Sequence, residues 1–238
     1  MAKKILLGLT TIAEGGEWKN KVKEIDKLDI KEIALFPTCL NLAERKELYQ
    51  LLAKTKLEKI PHAHLREEDM ENWELDYLVK RYKTQVFNVH APKEIVDFID
   101  RNGKYKDNIY IENLFVMNGS FEEAVKHCGG VCLDLAHWES HGFREKVKGY
   151  EKLPDLLKRY RIGVNHLSAV KSEKVNIHNR FTDENAYHYD SHWLDDLSEV
   201  DYAKKYKHYL ADIISLELEN PLKRQLEVKK YLEKILDL

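Results

Sequence analysis

Two patterns alternate along this chain: short apolar runs rich in β-branched and aromatic residues, and longer charged stretches whose apolar residues recur every three or four positions. The runs are KKILLGLT (3–10), KEIALFPT (31–38), KIPHAHL (59–65), QVFNVHA (85–91), NIYIENL (108–114), GVCLDLAH (130–137), IGVNHLS (162–168) and DIISLELE (212–219). They read as buried strands, and the stretches at 42–55, 71–82, 120–128, 151–160 and 221–238 as amphipathic helices. Asn41 and Ser120 stand where helix N-caps are expected. Buried strands that each precede a helix-sized segment predict a parallel sheet, and eight of them close into a (β/α)8 TIM barrel. That barrel would be a single domain over residues 1–238. An open doubly wound sheet is the alternative, but no GxGxxG follows the first run and no P-loop occurs. Segment 169–211 breaks the rhythm, with a polar loop in place of a compact helix; such loops are usually functional or mobile.

Composition narrows the setting. A hydrophobic fraction of 43% fills a sizeable core, and a net charge of −2 gives no general attraction to nucleic acid or anionic membranes. A local metal cluster can still draw a phosphate to an acidic protein. Cys39, Cys128 and Cys132 are odd in number and lack CxxC spacing, which points to a reducing compartment rather than a disulfide framework. The opening MAKKILLGLT is too short for a signal peptide, and no segment approaches a membrane span. The expected location is the cytoplasm, with no membrane partner.

Candidate chemistry lies at the predicted strand ends. From the third run onward these carry His62 and His64, His90, Glu112, Asp134 with His137, His166, and Glu217 with Glu219. The long segment adds His178, His188, Asp190 and His192. In a barrel the C-terminal strand ends converge on one mouth, so these residues would meet there. Imidazoles mixed with carboxylates suit zinc, with manganese or iron as alternatives. Glu112 and Glu217 interrupt apolar strands, where an uncompensated carboxylate is costly. His62 and His64 share a strand face by the two-residue period, so either could be the ligand. His141, just past the sixth run, fits a structural or a functional role equally.

The order of these residues resembles the xylose isomerase-like TIM barrels, and within them the endonuclease IV family of apurinic/apyrimidinic endonucleases. The resemblance rests on Pro61-His62, His90 in VFNVHAP, Glu112-Asn113, Asp134 and His137 in CLDLAHW, and His166 in VNHLSAVKS. Asp190-Ser191-His192 and Glu217, four residues before Pro221, complete it. It implies a two- or three-ion zinc cluster held by His62, His90, Glu112, Asp134, His137, His166, Asp190, His192 and Glu217. Glu112 and Glu217 would be the catalytic pair. Phe36-Pro37-Thr38-Cys39 lacks the arginine usual in that family, and Leu65-Arg66 lacks its aromatic.

Two activities are consistent with this set. One is a metal-dependent phosphodiesterase acting on abasic or damaged DNA or a related phosphodiester. The other is a sugar or sugar-phosphate isomerase or epimerase, in which Glu112 and Glu217 exchange a proton beside a carbonyl around one ion. In either case His64, His178, Arg180, His188 and Glu219 would contact substrate, with Arg180 placed for a phosphate. A monomer is expected.

Overall fold

The first strand is broken at Leu7 into β1 (Lys4–Leu6) and β2 (Gly8–Thr10), and this break closes the sheet. β1 pairs with the last strand, β11 (Ile213–Leu216), while β2 pairs with β3 (Glu32–Phe36). Between them run β4 (Lys59–His64), β5 (Val86–Val89), β6 (Ile109–Glu112), β7 (Gly130–Asp134) and β8 (Ile162–Leu167). The order is β1-β11-β8-β7-β6-β5-β4-β3-β2, with every pairing parallel. Because the two ends of the sheet are halves of one strand, the segments form an eight-stranded barrel, as the hydrophobic rhythm predicts. Gly8 is required at the joint, since a Cβ there would lie 1.8 Å from the Leu216 carbonyl oxygen. This computed structural model describes residues 3–11, 18–66, 68–91, 95–114, 119–179 and 184–238, and the side chains of 177–179 and 184 are left aside.

Helices α1 (Trp18–Lys27), α2 (Leu42–Leu52), α3 (Asn72–Tyr82), α4 (Ile95–Arg101) and α5 (Gly119–Lys126) follow successive strands. α6 (Leu135–His137) is a single turn, and α7 (Leu153–Arg159) and α8 (Leu222–Leu236) complete the set. Asn41 caps α2 in a capping box: its side-chain oxygen accepts the N–H groups of Ala43 and Glu44, and the Glu44 carboxylate accepts the Asn41 N–H. Such a cap contributes about 1 kcal/mol. Ser120 lies inside α5, which starts at Gly119.

Strand alternation divides the core in two. Outward residues such as Ile109, Ile111, Val131 and Leu133 join the large apolar layer under the helices. Inward residues, among them Phe36, Tyr110, Cys132 and Val164, fill the barrel interior. The same alternation sends Glu112, two residues after Tyr110, and Asp134, two after Cys132, inward at the strand ends. The chemistry is therefore seated on the floor of the mouth, above an apolar plug.

Segment 169–211 departs from the expected polar loop. It folds as an antiparallel ribbon, β9 (Ala169–Asn179) with β10 (Glu184–Ser191), followed by a 3-10 stretch over Leu197–Tyr209. The 3-10 stretch buries Val200, Tyr202, Ala203 and Tyr206, and the Tyr202 hydroxyl donates to the Ser168 carbonyl at 2.9 Å. Among the described residues, no helix is long and apolar enough to cross a membrane.

Candidate metal centre

Glu112, Asp134, His166 and Glu217 converge from the ends of β6, β7, β8 and β11. One donor atom from each lies within 4.8 Å of all the others, and all four side chains are buried. Register brings them together: Asp134 stands opposite His166, and Leu216, just before Glu217, stands opposite Leu167. His166 Nδ1 is 3.0 Å from Glu217 Oε2 and 3.3 Å from Glu112 Oε2.

Glu112 also belongs to a second group, with His64 and His90. His64 Nε2 is 3.1 Å from Glu112 Oε2 and 3.2 Å from His90 Nε2. One carboxylate thus lies between two sets of donors.

His62 is placed differently from the expectation. Its ring is fully buried, with Nδ1 at 2.9 Å from Ser215 Oγ and Nε2 at 2.7 Å from Asn88 Oδ1. Asn88 donates its Nδ2 hydrogen to Glu112 Oε2 at 2.7 Å, which fixes the amide's orientation and makes its Oδ1 the acceptor from His62 Nε2–H. Both ring nitrogens are thereby engaged, so His62 steadies the amide that steadies Glu112. Of the two histidines that the sequence left open, with His62 the one implied by the resemblance, it is His64, two residues further along β4, that faces His90. Burial foremost, with the neighbouring His166, pushes the His62 pKa well down and keeps the ring neutral.

The remaining expected ligands lie beside the central four, His137 Nδ1 being 3.8 Å from Glu112 Oε1 and 3.9 Å from Asp134 Oδ2. His137 Nε2 is 3.7 Å from Asp190 Oδ2, while His137 Nδ1 donates to the Asn113 carbonyl at 2.9 Å. His192 leans on Glu217 instead, Nε2 to Oε1 at 3.8 Å, with 29% of its side chain exposed. These three therefore do not gather as the first two groups do. His188 lies beside His141 and Glu145, away from the central four. Glu219 is half-buried, with its backbone N–H donating to the His192 carbonyl at 2.7 Å. The His178 side chain and Arg180 lie outside the described residues.

The donor set fits a divalent cation. Asp134 Oδ2 and both ring nitrogens of His166 are buried without hydrogen-bond partners among the described residues, an expensive arrangement for protons and protein dipoles alone. Burial drives the Asp134 carboxyl above its usual range. For Glu112 and Glu217 burial acts the same way, but the His166 charge outweighs it and holds both low, Glu217 at about 2. His166 is raised well above a free imidazole despite its burial, by Cys132, Glu112 and Glu217. His137 rises likewise to about 9, burial being outweighed by Asp134, Asp190 and Glu112. Opposed shifts gathered among neighbouring buried groups are the pattern in which functional sites are enriched.

Sequence reasoning passed over Asn88, Ser215 and Glu145. A polar residue inside an apolar strand run was the available signal for the first two, and the i, i+4 spacing from His141 for the third.

The fold is shared with several solved structures. A xylose isomerase-like TIM barrel protein from Mycobacterium smegmatis, in complex with magnesium, matches with a TM-score of 0.52 at 15% identity, over 98% of this chain and 96% of that one. Endonuclease IV from Thermus thermophilus matches at 0.51 and 14% identity, over 96% of this chain and 99% of its own. Phospho-2-dehydro-3-deoxyheptonate aldolase from Thermotoga maritima gives 0.52 at 12% identity, over 99% and 69%. No model of a known protein family matches the chain, and no curated protein does. At such identities the likeness is one of fold: the chain is a TIM barrel built like the xylose isomerase-like proteins and endonuclease IV.

Proposed function

We propose that this chain is a metal-dependent phosphodiesterase with a centre of at least two ions. The observation that carries the reading is that Glu112 is shared between the His64–His90 pair and the Asp134–His166–Glu217 set, the donor atoms of each group lying within 4.8 Å of one another; Cys132 with His166 makes a third group around it. One carboxylate shared by two donor sets is what a two-ion centre needs and a one-ion centre does not. His64, His90 and Glu112 would hold one ion, and Glu112, Asp134, His166 and Glu217 the other. The imidazole–carboxylate mixture suits zinc, or else manganese or iron. Bound there, such ions supply Lewis acidity toward a phosphoryl oxygen and toward the attacking water.

The chain's own groups do the rest. Asn88 holds the Glu112 carboxylate in place through its 2.7 Å hydrogen bond. Glu217, whose Oε1 faces His192 at 3.8 Å, is the carboxylate placed nearest that partly exposed ring and would orient the attacking water there. His137, 3.9 Å from Asp134, and Asp190 beside it would bind a third ion or the substrate. The substrate would be a phosphodiester, with abasic DNA the first to test, and the protein a cytoplasmic monomer.

A second reading is kept by one specific observation. Glu112, Asp134, His166 and Glu217 form a complete four-donor site, while His137, Asp190 and His192 do not close into another group. One ion there would serve a sugar-phosphate isomerase, with Glu112 and Glu217 moving the proton.

Counting metal per chain by elemental analysis, alongside assays on an abasic-site duplex and on ketose and aldose phosphates, separates the two. The expected result is strand cleavage, with two ions lost when His64→Gln and Asp134→Asn are combined. Loss of a single ion in that double variant, with sugar turnover by wild type, would overturn the hydrolytic assignment.

A further inference from the structure

A separate cluster stands behind the rim, where the ribbon meets the chain after β7. Past α6 the backbone widens into a π-helical turn, Trp138–Arg144, which carries His141 and ends at Glu145, four residues on. Turns of this kind occur frequently at functional sites. His141 Nδ1 is 2.9 Å from Glu145 Oε2. On β10, His188 and Asp190 are two residues apart, and the pairing with β9 shifts register between them. The His188 ring stands nearly perpendicular to that of His141, centroids 4.9 Å apart, and its Nδ1 is 3.9 Å from the same Glu145 oxygen.

We propose that His141, Glu145 and His188 form a peripheral site for a divalent transition metal, which fastens the β9–β10 ribbon to the turn after β7. One donor atom from each lies within 4.8 Å of the other two. Two imidazoles and one carboxylate are a protein ligand set that zinc accepts with a water in the fourth position. The neighbours are arranged as such a site requires. The other nitrogen of His141, Nε2, lies at ion-pair distance, 3.3 Å, from Asp190 Oδ1, a carboxylate near enough to bias the ring's orientation. Lys174 Nζ is 2.7 Å from Glu145 Oε1, which occupies that oxygen and leaves Oε2 toward the two rings. His141 is buried, whereas the side chains of His188 and Glu145 keep 20% and 13% of their surface, so an ion can reach the site from solvent. The cluster shares no ligand with the central four, and the inference stands whether the centre hydrolyses phosphodiesters or isomerises sugars. Through Asp190, whose other oxygen faces His137, an ion here would also stiffen the rim.

The test is zinc binding by the full chain after chelator treatment, read by equilibrium dialysis and elemental analysis. Wild type is compared with His188→Gln, Glu145→Gln and the central variant Asp134→Asn. The expected result is one equivalent fewer in each peripheral variant than in wild type. Asp134→Asn should lose central metal yet keep one equivalent that the double variant Asp134→Asn/His188→Gln lacks. Proteolysis within the ribbon should slow on zinc addition in Asp134→Asn and not in the double variant. Equal stoichiometry in wild type and both peripheral variants, with zinc-independent ribbon cleavage, would overturn the proposal; it would leave the central reading untouched, since that rests on Asp134→Asn.

Discussion

Two buried charged clusters in this molecule are built on opposite plans. Between α2 and α3, Arg45 is fully buried and all five of its N–H donors are used. They reach both oxygens of Glu74, the Leu40 carbonyl, and the Asp69 side chain and carbonyl, all at 2.8–3.1 Å. Tyr49 adds its hydroxyl to Glu74. At the barrel mouth, equally buried groups leave Asp134 Oδ2 and His166 Nε2 without hydrogen-bond partners among the described residues, and His166 Nδ1 meets the Glu217 and Glu112 carboxylates only as an ion pair. The first cluster is complete as protein alone. The second leaves buried donors that a bound cation would satisfy, and that incompleteness is the clearest functional signal in the structure.

The largest effect should come from breaking the complete cluster. Arg45→Ala leaves the Glu74 carboxylate buried without its cation, which costs on the order of 3–5 kcal/mol. Metal content in whatever fraction still folds should be unchanged. Denaturant titration showing a loss below 1 kcal/mol would mean that water already shares this network.

Breaking the incomplete cluster should act in the opposite direction when metal is removed. Asp134→Asn takes away a carboxylate that burial disfavours, while Oδ1, which accepts the His137 N–H at 2.7 Å, is retained by the amide. In chelator the variant should gain about 1 kcal/mol over wild type. With zinc present the order should reverse, because only wild type is stabilised by binding. If the variant is the less stable of the two in chelator, Asp134 is a structural residue.

The two clusters should also differ in their response to pH. In chelator, the His137 ring, raised from 6.5 to about 9, contributes stability that is fully present below 6.5 and is lost as pH rises through 9. Glu217, lowered from 4.5 to about 2, contributes stability that is present above 4.5 and lost as pH falls toward 2. The chelated chain should therefore be most stable between these limits and melt at a lower temperature at pH 9 than at pH 6. Zinc competes with protons for imidazole, so the stabilisation it adds should grow over the same interval. A chelated melting temperature that does not change from pH 6 to 9 would show that His137 is not held by these carboxylates.

The barrel was legible because period-2 strands and period-3.6 helices repeat with few interruptions, and alternation then dictates which residues face inward. Glu112, Asp134, His166 and Glu217 could be named as a set because a charged or imidazole residue ends each of their strand runs. Segment 169–211 was less legible. Its polar residues alternate across a two-stranded ribbon that pairs only with itself, so no apolar face announces the strands. The choice between His62 and His64 was undetermined for a different reason. Residues two apart on one strand face the same way, and only the depth of each ring, set by register with Val86 and Asn88, decides which reaches the mouth.

That choice gives the smallest predicted effect. His64→Gln should remove a ligand, and with it one ion of the two-ion centre in elemental analysis. His62→Gln should leave the ion count unchanged, because its ring bonds only to Ser215 and Asn88. Its cost should appear as a weakening of metal affinity of about 10–100-fold, the usual price of losing an outer-shell partner. Asn88→Ala should give the same weakening, since His62 acts on Glu112 only through that amide. Combining His62→Gln with Asn88→Ala should then cost little more than either alone, the non-additivity expected of residues in one chain of hydrogen bonds. Loss of a whole ion in His62→Gln, with full occupancy in His64→Gln, would reverse the two roles and return the ligand position to His62.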